Sequence, residues 1–283
     1  MTAASLFVVV AAGIQLRAGW LVLGSDLVGA DDPAHFATGV MVYEYLRHAF
    51  SSNPIEFALA FYIRYPKGAL GHWPPVYYAL QAAWYAVTGP SIEWARVLSA
   101  GICCAIAAIL FVRLRRLYGA MTGALGAACF LVLPIIQAST WLVMSDLAVA
   151  LFMLLAVITF AEFLDSGGPR PAAWFAVWST LAILTKGSGW ALGLFALIAP
   201  VLARRSCCFR SKWYWISGIA IAVLSAPFYV WARSVQLGYP ADVTHLASRA
   251  WAVTYRLTLL APFLRFLPPF VLIIALLGAA SSM

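Results

Sequence analysis

The sequence predicts an all-α protein that crosses a membrane about eight times and carries further helices against the membrane surface. Three observations predict this. Of 283 residues, 64% are hydrophobic and 10% charged, whereas soluble domains carry about 25% charged residues. Much of the apolar content falls in runs of roughly 17–20 residues, enough to cross about 30 Å of hydrocarbon. The basic residues gather in short loops between those runs, as cytoplasmic loops do.

The runs cover 4–24, 94–112, 120–138, 146–163, 172–186, 188–203, 213–232 and 262–280. The first lacks a basic start and is interrupted by Arg17, so it reads as an uncleaved span rather than a signal peptide. A further stretch, 74–88, is apolar but short, and Pro74 and Pro75 open it. Charge placement decides its role. Arg113, Arg115 and Arg116, then Arg170, then Arg204, Arg205, Arg210 and Lys212 all fall on one side only if 74–88 stays at the opposite surface. Residues 25–93 then form a long first extracytoplasmic loop and 233–261 a later one, both termini are cytoplasmic, and 1–283 is a single membrane domain. The net charge of +8 thus reports topology and contact with anionic headgroups, not nucleic acid. Cys103, Cys104 and Cys129 lie within spans and Cys207 and Cys208 in a cytoplasmic loop, which is no disulfide framework.

Within the first loop, apolar residues recur at Phe36, Val40, Tyr43, Leu46 and Phe50. Spacings of three and four predict an amphipathic helix lying along the membrane surface. "SSNP" (51–54) breaks it, and a second surface helix is expected over 76–88. The segment 233–261 adds Arg233, Asp242, His245, Arg249 and Arg256, with Trp251 and Tyr255 as interface anchors. The residues able to do chemistry therefore collect on one face.

Asp31 and Asp32 stand first among them. Asp32 before Pro33 is a favoured helix start, with Asp32 capping. That leaves Asp31 without a structural task, as a partly buried general base at the bilayer edge. Asp146, in "STWLVMSDLAVALF", is either the N-cap of the following span or a second carboxylate at the same surface. Lys186, in "AILTKGSGW", either snorkels to the interface or holds a phosphate. His72 and His35 are weaker candidates, His35 being read as a helix-face histidine. No His, Asp and Glu stand at ligand spacing that would fix a metal, and a divalent metal stays an open alternative. No Gly-rich phosphate loop is present.

Taken in order, "DDPAHF", "WPPVYYAL", "IEWARVLSAG", "LYG", "SDLAVALF" and "LTKGSGW" resemble the C-type integral-membrane glycosyltransferases that use polyprenyl-phosphate sugars. The resemblance is to the branch of the protein O-mannosyltransferases and the lipid A aminoarabinose transferase, and it covers most of the chain. It implies inverting transfer of a sugar from a polyprenyl-phosphate-linked donor to an acceptor hydroxyl on a protein, lipid or glycan. That reaction takes place on the extracytoplasmic face of a plasma or inner membrane and needs no nucleotide. On the resemblance, Asp31 is the acid that deprotonates the acceptor. Asp32 stands where a Glu often follows it, Asp146 is the acid of the second outer loop, and Lys186 contacts the donor phosphate. Relatives place a Lys immediately before the Pro-Pro pair. Here that residue is Trp73, so Lys67 or His72 is expected to substitute, with help from Arg249 and Arg256. Such enzymes usually continue further, so the chain reads as a fragment or a minimal member.

Two other classes compete. A transporter or lipid flippase would line its pathway with Asp31, Asp146 and Lys186, but pathways place charges near mid-membrane and often show an inverted repeat; a non-enzymatic scaffold is the third reading. Convergence of Asp31, Asp146 and Lys186 at one outer site distinguishes the enzyme.

Overall fold

The computed structural model describes residues 31–68 and 71–235, and every regular element among them is helical. The segment before the first long apolar helix supplies α1 (Asp32–His48), α2 (Pro54–Arg64) and α3 (Val76–Thr88). The break at 51–54 falls where the sequence predicts it. There the Asn53 side chain accepts from the Ile55 N–H at 2.9 Å, and Pro54 opens α2 with a φ already suited to a helix. Helix α3 follows Pro75 and stops at Gly89, whose φ of 79° lies in the region that only glycine adopts freely.

Helix α3 forms over the expected residues and has one buried face. Tyr77, Tyr78, Gln81, Ala82 and Tyr85 are all buried along one face. They pack against α1 and against α4 (Ile92–Tyr118). The stripe on α1 is likewise split: Tyr43 is buried, while Leu46 and Phe50 are exposed. Ser91 caps α4, its hydroxyl accepting from the Trp94 N–H at 3.2 Å.

Helix α4 is followed by α5 (Ala120–Val132) and α6 (Pro134–Trp141). The run 120–138 was expected as a span. It bends by 59° at Leu133–Pro134, because the residue before a proline is driven out of the helical region; Leu133 sits at φ −61°, ψ 126°.

Helices α7 (Asp146–Ser166) and α8 (Pro169–Ile183) are joined by Gly167 and Gly168 alone. So short a link forces neighbouring antiparallel packing, and this pair packs more extensively than any other. Its seam is aromatic: Phe160 lies 4.6 Å from Phe175 and 5.5 Å from Phe195, centroid to centroid. Against lipid such a seam holds by close dispersion contact rather than by escape from water. Lys186 leads into a 3₁₀ turn (Gly187–Trp190), α9 (Ala191–Leu202), a second 3₁₀ turn (Ser206–Arg210) and α10 (Lys212–Val235).

Among the described residues three helices, α4, α7 and α10, are long and apolar enough to cross a membrane, or four elements if α5 and α6 form one broken span. The runs 172–186 and 188–203 were expected to cross as well. They appear as α8, of 15 residues, and as the apolar stretch Gly187–Leu202, in which a 3₁₀ turn leads into α9. The first and last predicted spans, 4–24 and 262–280, lie outside the described residues. Five free cysteines are present, with Cys129 and Cys207 exposed.

Candidate functional site

Four chain segments converge at one end of the bundle: the start of α1, the "GHWPP" loop before α3, the start of α7 and the turn after α8. Antiparallel packing of α7 on α8 brings the first residue of one beside the exit of the other. Asp146 and Lys186, forty positions apart, consequently meet: Lys186 Nζ donates to Asp146 Oδ1 at 2.7 Å. Asp146 occupies the first turn of α7, with Ser145 in the N-cap position, so it is a partner of the lysine and not the cap of that helix. The two side chains are 43% and 33% exposed. An ion pair this open adds little to stability, about 0–1 kcal/mol, and its ammonium stays accessible to a ligand.

The Lys186 turn is braced from three sides. The Val76 N–H donates to Leu184 O at 2.9 Å, tying it to the start of α3. The Tyr229 hydroxyl of α10 donates to Ile183 O at 2.8 Å. Gly189 packs so tightly on α8 that a Cβ there would lie 2.6 Å from Ala182 C and from Ile183 N. Backbone cannot yield to such contacts without moving the turn, and overpacking of this kind costs about 1–3 kcal/mol. Gly189→Ala is therefore expected to lower the melting temperature and to displace Lys186. Both effects can be read by thermal unfolding in detergent and by loss of ligand binding at Lys186.

At the start of α1 the helix begins one residue earlier than expected, and neither acid caps it through its side chain. The helix begins at Asp32, and Asp31 holds the N-cap position without a side-chain capping bond. Asp32 is thus not the cap; it is buried, at 1% exposure. Pro33 falls in the first turn, where its missing N–H costs nothing. Asp31 is exposed rather than partly buried, and its backbone carbonyl accepts from the His35 N–H at 2.9 Å. Its carboxylate is free of the capping task and open to solvent.

His35 sits at the centre of this end of the molecule. The side chain is 1% exposed, Nδ1 lies 2.7 Å from the Tyr78 hydroxyl, and the ring rests 4.4 Å from that of Trp73 and 6.0 Å from that of Tyr77. Burial, reinforced by the charge of Lys186, lowers its pKa to about 4, while the charges of Asp31 and Asp146 oppose the shift. His35 therefore senses Asp31, Asp146, Lys186 and His72 together. His72 is also lowered, by burial, against the charge of Asp31. Burial raises the Tyr78 hydroxyl, and Asp31 adds to the effect. At neutral pH the site is one exposed carboxylate, one lysine–carboxylate pair and two neutral imidazoles.

The sign of the His35 shift sets an acid limit on stability. The folded pKa lies below the ordinary 6.5, so between those values the unfolded chain binds more protons. Stability is complete above about pH 6.5 and falls as pH drops toward about 4, by about 3 kcal/mol if His35 acts alone. Melting temperatures across this window are expected to decline for the wild type and to decline less for His35→Asn.

Other candidates stand apart. Lys67 is exposed in the turn after α2 and makes no ion pair among the described residues. Arg249 and Arg256 lie outside the described residues. No group of three or more His, Cys, Asp or Glu among the described residues could hold a metal ion. The contribution of His35, Tyr77 and Tyr78 was missed from sequence. The available signal was a histidine one turn after the acidic pair together with the aromatic-rich "HWPPVYY". Adjoining the Lys186 turn, an apolar groove of about 440 Å³ runs between α8, α9 and α10, lined by Ile183, Trp190, Leu192, Ala196, Tyr214 and Gly218 among others.

The sequence model of the dolichyl-phosphate-mannose-protein mannosyltransferase family matches residues 72–231, which includes His72, Asp146, Lys186 and the groove and exceeds half of the chain. No curated protein matches the chain, and no solved structure does. The chain belongs to the dolichyl-phosphate-mannose-protein mannosyltransferase family, and is a membrane glycosyltransferase of mannosyltransferase-like type that uses a lipid-linked sugar.

Proposed function

We propose that this multi-pass protein transfers a sugar from a polyprenyl-phosphate donor to an acceptor hydroxyl, with inversion, on the extracytoplasmic face. The observation that carries the reading is the Lys186–Asp146 pair, whose charges act, together with that of Asp31, on the buried His35. Lys186 holds the donor phosphate and Asp31 takes the acceptor proton. The acceptor oxygen bonds to the anomeric carbon as the bond from that carbon to the phosphate oxygen breaks. Its electron pair leaves with the lipid phosphate, whose charge the lysine offsets in a site of reduced dielectric. Asp146 keeps Lys186 extended until a phosphate replaces or joins it. His72 suits the acceptor side better than the donor phosphate, since it is neutral and has Asp31 as its charged neighbour. The groove beside Lys186 offers apolar walls to the first isoprene units.

Charge at the opposite end of the bundle supports the assignment of faces. There Arg113 pairs with Glu162 at 2.5 Å and Arg205 with Asp165 at 3.6 Å, and Arg115, Arg116 and Arg170 lie nearby in sequence. Basic ends stay cytoplasmic, which leaves the Asp31–Lys186 end outside.

The chain in nanodiscs is expected to bind polyprenyl phosphate and not the unphosphorylated polyprenol, and to release sugar slowly from the sugar-loaded lipid. Transbilayer movement of the lipid in proteoliposomes, without sugar release, would replace this reading with the flippase.

A further inference from the structure

The Lys186–Asp146 pair links the start of α7 to the turn after α8, whereas Asp31 stands at the start of α1, a separate element that reaches the rest of the bundle mainly through α3. A base and a phosphate-binding cation on different elements act on one substrate only if something holds their separation. Around His35 the structure supplies such a device. The ring lies one turn beyond Asp31, which accepts the His35 N–H through its backbone carbonyl at 2.9 Å. Nδ1 and the Tyr78 hydroxyl are 2.7 Å apart, which ties α1 to α3. The ring is stacked on Tyr78 at 5.8 Å and rests on Trp73 at 4.4 Å, and Trp73 in turn meets His72 edge-on at 4.3 Å. Three residues beyond Trp73, the Val76 N–H is bonded to Leu184 O, two residues before Lys186. An unbroken chain of contacts thus runs from the Asp31 backbone through His35 and the "HWPPV" segment to the turn that carries the lysine.

We propose that His35 is a positioning residue that, through Tyr78 and Trp73, clamps the Asp31-bearing helix to the Lys186 turn and so fixes the distance between base and phosphate cation. The ring touches neither reacting group and works only through its neighbours, and it is itself buried. The clamp rests on the glycosyl-transfer reading for its effect on rate, but the clamp itself can be measured without any reaction. Trp73 has a defined task in it: it is the surface on which the His35 ring lies.

The test uses the full chain in nanodiscs and the variants Tyr78→Phe, His35→Phe and His35→Asn. Phenylalanine at position 35 keeps a ring on Trp73 but loses the bond to Tyr78; asparagine places a polar atom near the Nδ1 position. Three quantities are read: kcat for sugar release from polyprenyl-phosphate sugar, Kd for plain polyprenyl phosphate, and amide exchange at Gly71–Trp73 and Val76. The clamp predicts that His35→Phe and Tyr78→Phe lower kcat about 10–100-fold, the cost of a reacting group displaced by an ångström or so. Kd should stay within about threefold, exchange at the named amides should quicken several-fold, and His35→Asn should recover most of the lost rate. Unchanged kcat in both phenylalanine variants overturns the proposal. So does a parallel fall of kcat, phosphate affinity and melting temperature, which marks a brace for the fold as a whole. If the wild type binds no polyprenyl phosphate and releases no sugar, the transferase reading fails and exchange alone judges the clamp: quickened exchange upholds it, unchanged exchange overturns it.

Discussion

Lys186→Ala is expected to weaken binding of both polyprenyl phosphate and its sugar-loaded form by about 10–100-fold. A charge-assisted hydrogen bond is worth about 1.5–3 kcal/mol, and each 1.4 kcal/mol is a factor of ten. The variant also leaves Asp146 unpaired where the phosphate must sit, adding repulsion to the lost attraction. Melting temperature should change little, because an ion pair 43% and 33% exposed contributes about 1 kcal/mol or less. Asp146→Asn gives the control with opposite sign. It frees Lys186 from its carboxylate at 2.7 Å and is expected to leave phosphate affinity equal or tighter. Titration of the two variants side by side separates a lysine that binds phosphate from a pair that merely joins α7 to α8. Equal losses in both would identify the pair as structural.

Asp31→Asn is expected to do the reverse: donor binding within a few-fold of wild type, with turnover reduced about 10²–10⁴-fold, the usual contribution of a positioned base. The prediction is sharp because Asp31 makes no capping bond in its N-cap position. Asparagine is equally at home there, so the helix start should survive the change. Asp32→Asn gives a contrasting result. Asp32 is buried, so its substitution is expected to lower the melting temperature together with the rate. A variant pair that separates rate from stability in this way distinguishes the acid facing solvent from the acid inside the fold.

Much of this architecture was legible in the sequence because it depends on local chemistry. The boundaries of α3 follow from Pro75 and Gly89, and the break at 51–54 from Asn53 and Pro54, each a residue whose backbone preference acts on its own turn. Composition alone identified the apolar helices α4, α7 and α10. The bend at Pro134 was equally visible in letters, but a count of apolar residues over 120–138 weighs hydrophobicity and ignores backbone geometry. The same count joined α8 and the Lys186 turn into one span. That Asp31 and not Asp32 takes the N-cap position is a one-residue shift in where α1 begins, and helix ends are poorly fixed by pattern. The Lys186–Asp146 pair and the enclosure of His35 depend on which helices pack together, information that resides in no single segment. A histidine one turn along α1 looks the same in sequence whether its face meets solvent or, as here, Tyr77, Tyr78 and Trp73.

The family model covers residues 72–231 and Asp31 lies before them, so the role of that carboxylate is the central claim to test. The most direct measurement is a single-turnover reaction of the wild type and Asp31→Asn with polyprenyl-phosphate sugar, with the product anomer assigned by NMR. The account predicts a product of inverted anomeric configuration, formed by the wild type and about 10²–10⁴-fold more slowly by Asp31→Asn at unchanged donor occupancy. A product of retained configuration, or equal rates for the two proteins, would contradict it.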